Sequence, residues 1–151
     1  YLDIIRMKAA IADVTARIGA IVGGGSSDEI KALGQYGRTL GILATIRDDF
    51  IDVFEPDELK NRAKNECLPL PILYAFRNKK VKNRVVKILR KRELSEDDAY
   101  EIVETITENM QTLKKEMKIF LENGIKSLEA IKNQKIDSKL RKMLTVIVEG
   151  L

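Results

Sequence analysis

The 151-residue sequence contains no histidine. A His-based proton shuttle, a Ser-His-Asp triad and a Cys/His zinc site are therefore excluded within it. Cysteine occurs once, at Cys67, so there is no internal disulfide framework, and the count suits a reducing cytosol. No run approaches the roughly 18–20 uninterrupted apolar residues of a membrane span, and none has a signal peptide's charged-then-apolar pattern. Stable membrane insertion is not expected, and the expected location is cytoplasmic. Sustained alternating, β-branched runs bounded by turn residues are also missing, so no sheet is expected. The sequence opens with Tyr1 in mid-pattern and not with Met, which leads us to expect a missing upstream part.

What is present is helix-leaning: 44% hydrophobic and 33% charged residues, with 9 Gly and 3 Pro. The formal net charge of +4 is uneven. Residues 77–92 hold nine Lys/Arg and no acid, so the remainder is net acidic. Within that run Val81, Val85, Ile88 and Leu89 form one helical apolar stripe, and the cations take the other faces. Such a face can meet nucleic acid or an anionic membrane, or simply be solvated. It lacks aromatics for base stacking and large apolar anchors, and Glu93, Glu96, Asp97 and Asp98 follow at once, so no nucleic-acid partner is expected.

The helical pattern is nearly continuous. The stretch from Tyr1 to about Val22 is rich in small residues and reads as a buried central helix, stopped by Gly23-Gly24-Gly25. Ser26 and Glu29 form a capping box opening a long helix to about Phe54, broken near Pro56. Pro69 and Pro71 open a helix through about Arg77, and the basic helix follows. Ser95 with Asp98 marks another start, running to about Lys132. Asp137 or Ser138 is expected to cap a last helix to about Val148. Met110, Met117 and Met143 read as core filler. The class is all-α.

The sharpest chemical feature is Asp48-Asp49-Phe50-Ile51-Asp52. On a helix Asp48 and Asp52 are one turn apart, and Asp49 with Asp52 is an i, i+3 pair, so the carboxylates share adjoining parts of one face. Crowded like charges favour an intervening cation, and Mg²⁺ takes one or two such carboxylates with waters and substrate phosphates. Upstream, Gly37 and Gly41 lie four apart on the same helix. Each costs roughly 1 kcal/mol relative to Ala, which implies tight packing or a ligand against that face.

Tyr36-Gly37-Arg38-Thr39-Leu40-Gly41 with Ile46-Arg47-Asp48-Asp49-Phe50-Ile51-Asp52 resembles the second aspartate-rich region of trans-isoprenyl diphosphate synthases, YGxxLGxxFQIxDDxxD. Tyr1 to Ala10 is similar to that family's Tyr…Lys-Thr-Ala helix, and Leu68 to Phe76 to its TLPLIYAL segment. The order and spacing of the three blocks agree, over about the C-terminal half of such an enzyme. The resemblance implies an isoprenoid-synthase-type antiparallel helical bundle, with residues 1–151 the C-terminal part of one polyprenyl-synthetase-like domain. It implies a Mg²⁺-dependent homodimer that condenses an allylic diphosphate with isopentenyl diphosphate. Asp48 then matches the principal metal ligand, Asp49 and Asp52 the remaining carboxylates of the metal site, and Lys8 the lysine that contacts the allylic diphosphate.

The departures are specific. Ala44-Thr45 replaces Phe-Gln, which leaves Thr45 as the substrate-binding candidate at the polar position. Ala9 replaces the threonine after the lysine. The later Gly-Lys has no counterpart in the short linking loop Val53 to Cys67, where Arg62, ahead of Lys60 and Lys64, could supply the positive charge to substrate. The family's first aspartate-rich motif and its arginines have no match here, so these residues alone should not catalyse prenyl transfer. The alternative is a degenerate, non-catalytic helical partner of an active synthase.

Overall fold

The structure is a computed structural model that describes residues 2–149, without the Leu2 side chain; Tyr1, which begins the first matched block, lies outside them. Among the described residues there is no strand. The helices are α1 (Leu2–Val22), α2 (Ser27–Asp52), α3 (Pro56–Asn65), α4 (Leu70–Ala75), α5 (Lys79–Leu89), α6 (Glu96–Ser127) and α7 (Gln134–Val148), with a 3₁₀ turn at Leu128–Ala130. Among the described residues no helix is long and apolar enough to cross a membrane.

The helix boundaries follow local chemistry. Gly24 takes φ +73° at the end of α1, while the Gly24 and Gly25 amides donate to the carbonyls of Ile21 and Ala20. The capping box forms as expected: the Glu29 amide donates to Ser26 Oγ at 3.3 Å, and the Ser26 amide to Glu29 Oε2 at 2.9 Å. Ser95 and Asp98 repeat this arrangement at the start of α6. The last helix differs from expectation. Asn133 caps it, its side chain accepting from the amides of Lys135 and Ile136, while Asp137 pairs with Arg141.

The chain forms two compact units, residues 1–47 with 116–151, and residues 48–115. In the first, α1 meets α2 through small residues. A Cβ on Gly37 would lie 2.4 Å from the Ala12 carbonyl oxygen, and one on Gly41 2.9 Å from Ala9 Cα. The paired glycines thus serve close helix packing. α6 and α7 join at Gly124, where a Cβ would meet Thr39 at 2.7 Å and Leu144 at 3.0 Å.

α1 is not the buried central helix that its composition suggests. Its small-residue side is the covered one, while Ile4, Met7, Ile11, Val14, Ile18 and Ile21 are exposed at alternating spacings of three and four. Small side chains bury because a neighbouring backbone can reach them, and the large ones are left on the outer face. A cluster that the sequence did not single out braces the same pair of helices. Asp13, 6% exposed, takes Arg17 Nε at 2.5 Å on one oxygen and Arg38 Nε at 2.9 Å on the other.

The second unit is built on Phe50, Val53, Leu59, Ile72, Val85, Ile102, Ile106 and Leu113, all buried. α5 carries the basic run and buries Val85 and Ile88 of its expected stripe. Three cations of the run, one on α5 and one on either side of it, have local partners: Arg84 pairs with Glu101 at 3.0 Å, Arg77 stacks 4.4 Å from the Tyr74 ring centre, and Lys91 pairs with Asp98. The stretch expected to be a loop between Val53 and Cys67 is largely helical, because Pro56 sits in the first turn of α3, where its missing N–H is harmless. Met110 and Met117 are core residues, but Met143 is 52% exposed on α7.

Candidate functional site

The last two turns of α2 carry Asp48, Asp49 and Asp52, but the three carboxylates do not converge. Asp48 is exposed and makes no hydrogen bond or ion pair among the described residues. Asp49, one residue on, is rotated about 100° around the helix and is 2% exposed. Its Oδ1 accepts from Arg62 Nη1 at 2.7 Å, and its Oδ2 from the Leu70 amide at 3.0 Å. Asp52, a turn beyond Asp48, is half-buried and shares the same Arg62 Nη1 through Oδ2.

Arg62 therefore sits at the centre of this cluster. It projects from α3, is 8% exposed, and also donates from Nε to the Cys67 carbonyl at 2.9 Å. Expected as a positive charge for substrate, this guanidinium here pairs with two carboxylates and ties α2, α3 and the residues before α4 together. A fork of parallel N–H donors suits that task, since each donor meets a different acceptor. The expected repulsion within the aspartate triplet is thus relieved in part by an arginine 10 residues past Asp52.

Thr45 is half-buried, and its hydroxyl donates to the Gly41 carbonyl of its own helix at 2.9 Å. Lys8 is exposed on α1. Lys60 donates to the Lys91 carbonyl, and Lys64 is exposed. Cys67 is a half-buried free thiol whose backbone, not its sulfur, takes part in the cluster.

Among the described residues no group of three or more acidic or thiol side chains is gathered tightly enough to hold a metal on its own. What remains is Asp48, open and negative, with the second oxygen of Asp52 one turn away. That donor set fits one side of a divalent ion whose other positions are filled by water and phosphate oxygens. It does not fit a self-sufficient metal centre.

The sequence matches the profile of the polyprenyl synthetase family over residues 1–106. The chain belongs to the polyprenyl synthetase family. Relatives include geranylgeranyl pyrophosphate synthase 12, chloroplastic, of Arabidopsis thaliana, 34% identical over 93 residues, which cover 61% of this chain and 24% of that one. Geranylgeranyl diphosphate synthase of Methanosarcina mazei is 28% identical over 141 residues, 88% of this chain and 42% of that one. The chain thus spans less than half the length of these relatives. Among solved structures, geranylgeranyl pyrophosphate synthase from Corynebacterium glutamicum, complexed with calcium and isoprenyl diphosphate, superposes with a TM-score of 0.80 at 22% identity. The match covers 98% of this chain and 49% of that one, and it shows that the all-α isoprenoid-synthase fold extends through α7, beyond the residues of the family profile.

Proposed function

We propose that the protein carrying these residues is a Mg²⁺-dependent trans-prenyltransferase that joins an allylic diphosphate to isopentenyl diphosphate. The observation that carries this reading is Asp48. Within a family-matched segment, it is the one carboxylate of the triplet left exposed and unpaired at the end of α2, while its neighbours are neutralised. The relatives named above are diphosphate synthases and the calcium-bound neighbour holds isoprenyl diphosphate, which supports the substrate class.

In this proposal Asp48 holds the divalent ion directly and Asp52 supports it with its free oxygen. When bound, the ion supplies Lewis-acid stabilisation of the negative charge that develops on the departing diphosphate. Asp49 is a positioning residue: with Arg62 and the Leu70 amide it fixes the last turn of α2, so that Asp48 and Asp52 keep their orientation. Arg62 also removes two of the three negative charges that would otherwise repel an incoming diphosphate. Lys8 is assigned to the allylic diphosphate as a point charge, on the resemblance alone. The remaining aspartates and arginines come from the rest of the full-length protein, in a cytoplasmic homodimer.

One observation favours the second reading, a non-catalytic partner of an active synthase. Thr45 stands where the family has glutamine, and its hydroxyl is spent on Gly41. A single experiment separates the two. The full-length protein is assayed for product from an allylic diphosphate and labelled isopentenyl diphosphate, wild type against Asp48→Ala. A loss of at least about 100-fold, or roughly 2.7 kcal/mol of barrier, is expected with folding unchanged. Activity within about threefold of wild type rejects Asp48 as the metal-holding residue. An inactive wild type that also fails to bind a non-hydrolysable allylic diphosphate with Mg²⁺ selects the partner reading.

A further inference from the structure

A cavity of about 450 Å³ lies within the first unit, between the end of α1, the start of α2 and α7. Its walls include Ala16, Gly19 and Ala20 of α1, Leu33 and Tyr36 of α2, and Leu140 of α7. None of these belongs to the aspartate cluster. Tyr36 is 4% exposed, and its hydroxyl is buried without a hydrogen-bond partner. Leaving a hydroxyl unpaired in a dry setting costs about 1–3 kcal/mol, so such a group asks for an occupant. Burial pushes the phenol's pKa up, so Tyr36 remains a neutral O–H donor across the physiological range.

Gly19 lines the same cavity from the last turn of α1, and a Cβ built there meets nothing within 4 Å, so a larger side chain has room at that position.

The lining also says what does not fit. No lysine or arginine faces the cavity, and Glu29 stands at its edge, so a diphosphate or other anion finds no counter-charge. The other polar residues of the lining, Glu29 and Asn133, each have one oxygen engaged. Glu29 Oε2 accepts from Ser26, and Asn133 Oδ1 caps α7. Mostly apolar walls with one convergent polar group are the usual make-up of a small-molecule site.

We propose that this cavity binds a neutral, compact, largely apolar molecule through one hydrogen-bond-accepting oxygen, to which the Tyr36 hydroxyl donates. The site is independent of prenyl transfer. Its wall includes Tyr36, which begins the Tyr-Gly block of the family pattern, and that residue thereby gains a role that packing alone does not give it.

The test uses the full-length protein and 6-propionyl-2-(dimethylamino)naphthalene, an apolar fluorophore with a single ketone, its emission titrated against protein. Saturable binding to wild type is expected. Tyr36→Phe removes the donor and nothing else, and should weaken binding about fivefold to tenfold, the worth of one neutral hydrogen bond, without lowering the melting temperature. Gly19→Leu fills the space and should abolish binding while the protein remains as stable as wild type or becomes more so. The proposal is overturned if wild type does not bind the probe, or if either variant binds it as wild type does. It is equally overturned if Gly19→Leu is strongly destabilised, because the space would then already be filled by another part of the protein.

Discussion

Replacing Asp49 with asparagine separates a structural brace from a metal ligand. The carboxylate is 2% exposed, and its oxygens accept from Arg62 Nη1 at 2.7 Å and the Leu70 amide at 3.0 Å. Asparagine keeps one acceptor oxygen, so one of those donors is stranded, and the guanidinium loses half of its buried negative charge. Breaking a buried ion pair from one side costs about 3–5 kcal/mol. Asp52 still shares the same Arg62 nitrogen, so the low end applies, about 3 kcal/mol. For a domain of this size that is roughly 6–12 °C in melting temperature. The assay is urea unfolding of the full-length protein for Asp49→Asn, Arg62→Met and the double variant, each with and without Mg²⁺. The two single losses should overlap in the double variant, with a coupling of at least about 1.5 kcal/mol. An Asp49→Asn protein that unfolds within about 0.5 kcal/mol of wild type, yet is inactive, would refute the brace and return Asp49 to the metal.

Two further outcomes follow from the first unit. Gly37→Ala places a methyl group 2.4 Å from the Ala12 carbonyl oxygen, and backbone cannot swing aside as a flexible side chain can. Overpacking of about 1–3 kcal/mol should outweigh the roughly 1 kcal/mol gained in helix propensity, so calorimetry should find the variant less stable than wild type. Asp13 gives a pH dependence. Burial pushes its carboxyl up, but the hydrogen bonds and charges of Arg17 and Arg38 outweigh this and hold it below the usual aspartate value. The stabilisation from this group is therefore complete above about pH 4 and is lost as pH falls through the depressed value. Urea midpoints for wild type and Asp13→Asn should differ most near pH 7 and converge in strong acid, and a gap that widens with acidity would contradict the assignment.

Much of this architecture is readable from residues close together in sequence. Ser26 with Glu29 and Ser95 with Asp98 each mark a helix start, because the atoms that satisfy the first amides lie within three residues of them, while Pro69-Leu70-Pro71 marks one by its fixed backbone angles. The final helix was harder to place. Asn133, Asp137 and Ser138 are all capping types within six positions, and only the fold shows that Asn133 is used. The burial of α1 was overestimated, since composition counts apolar residues without saying which sides a neighbour covers. The triplet 48–52 was visible as chemistry, but Arg62 was legible only as a nearby charge. Its role depends on α3 turning it back 13 residues to Asp49, a tertiary relation that the spacing does not encode.

The glycine–alanine seam between α1 and α2 sets the distance between two helices with main-chain atoms. Where leucines or methionines separate helices, a rotamer change can absorb a small displacement. Here Ala12 oxygen and Ala9 Cα face Gly37 and Gly41 with no side chain long enough to yield. The spacing therefore behaves as a hard stop. Sequence drift along this seam cannot tune the gap by degrees, since even a methyl group in place of a glycine hydrogen meets main-chain atoms, and the helix that carries Asp48 is held at the same standoff whatever happens on its outer faces.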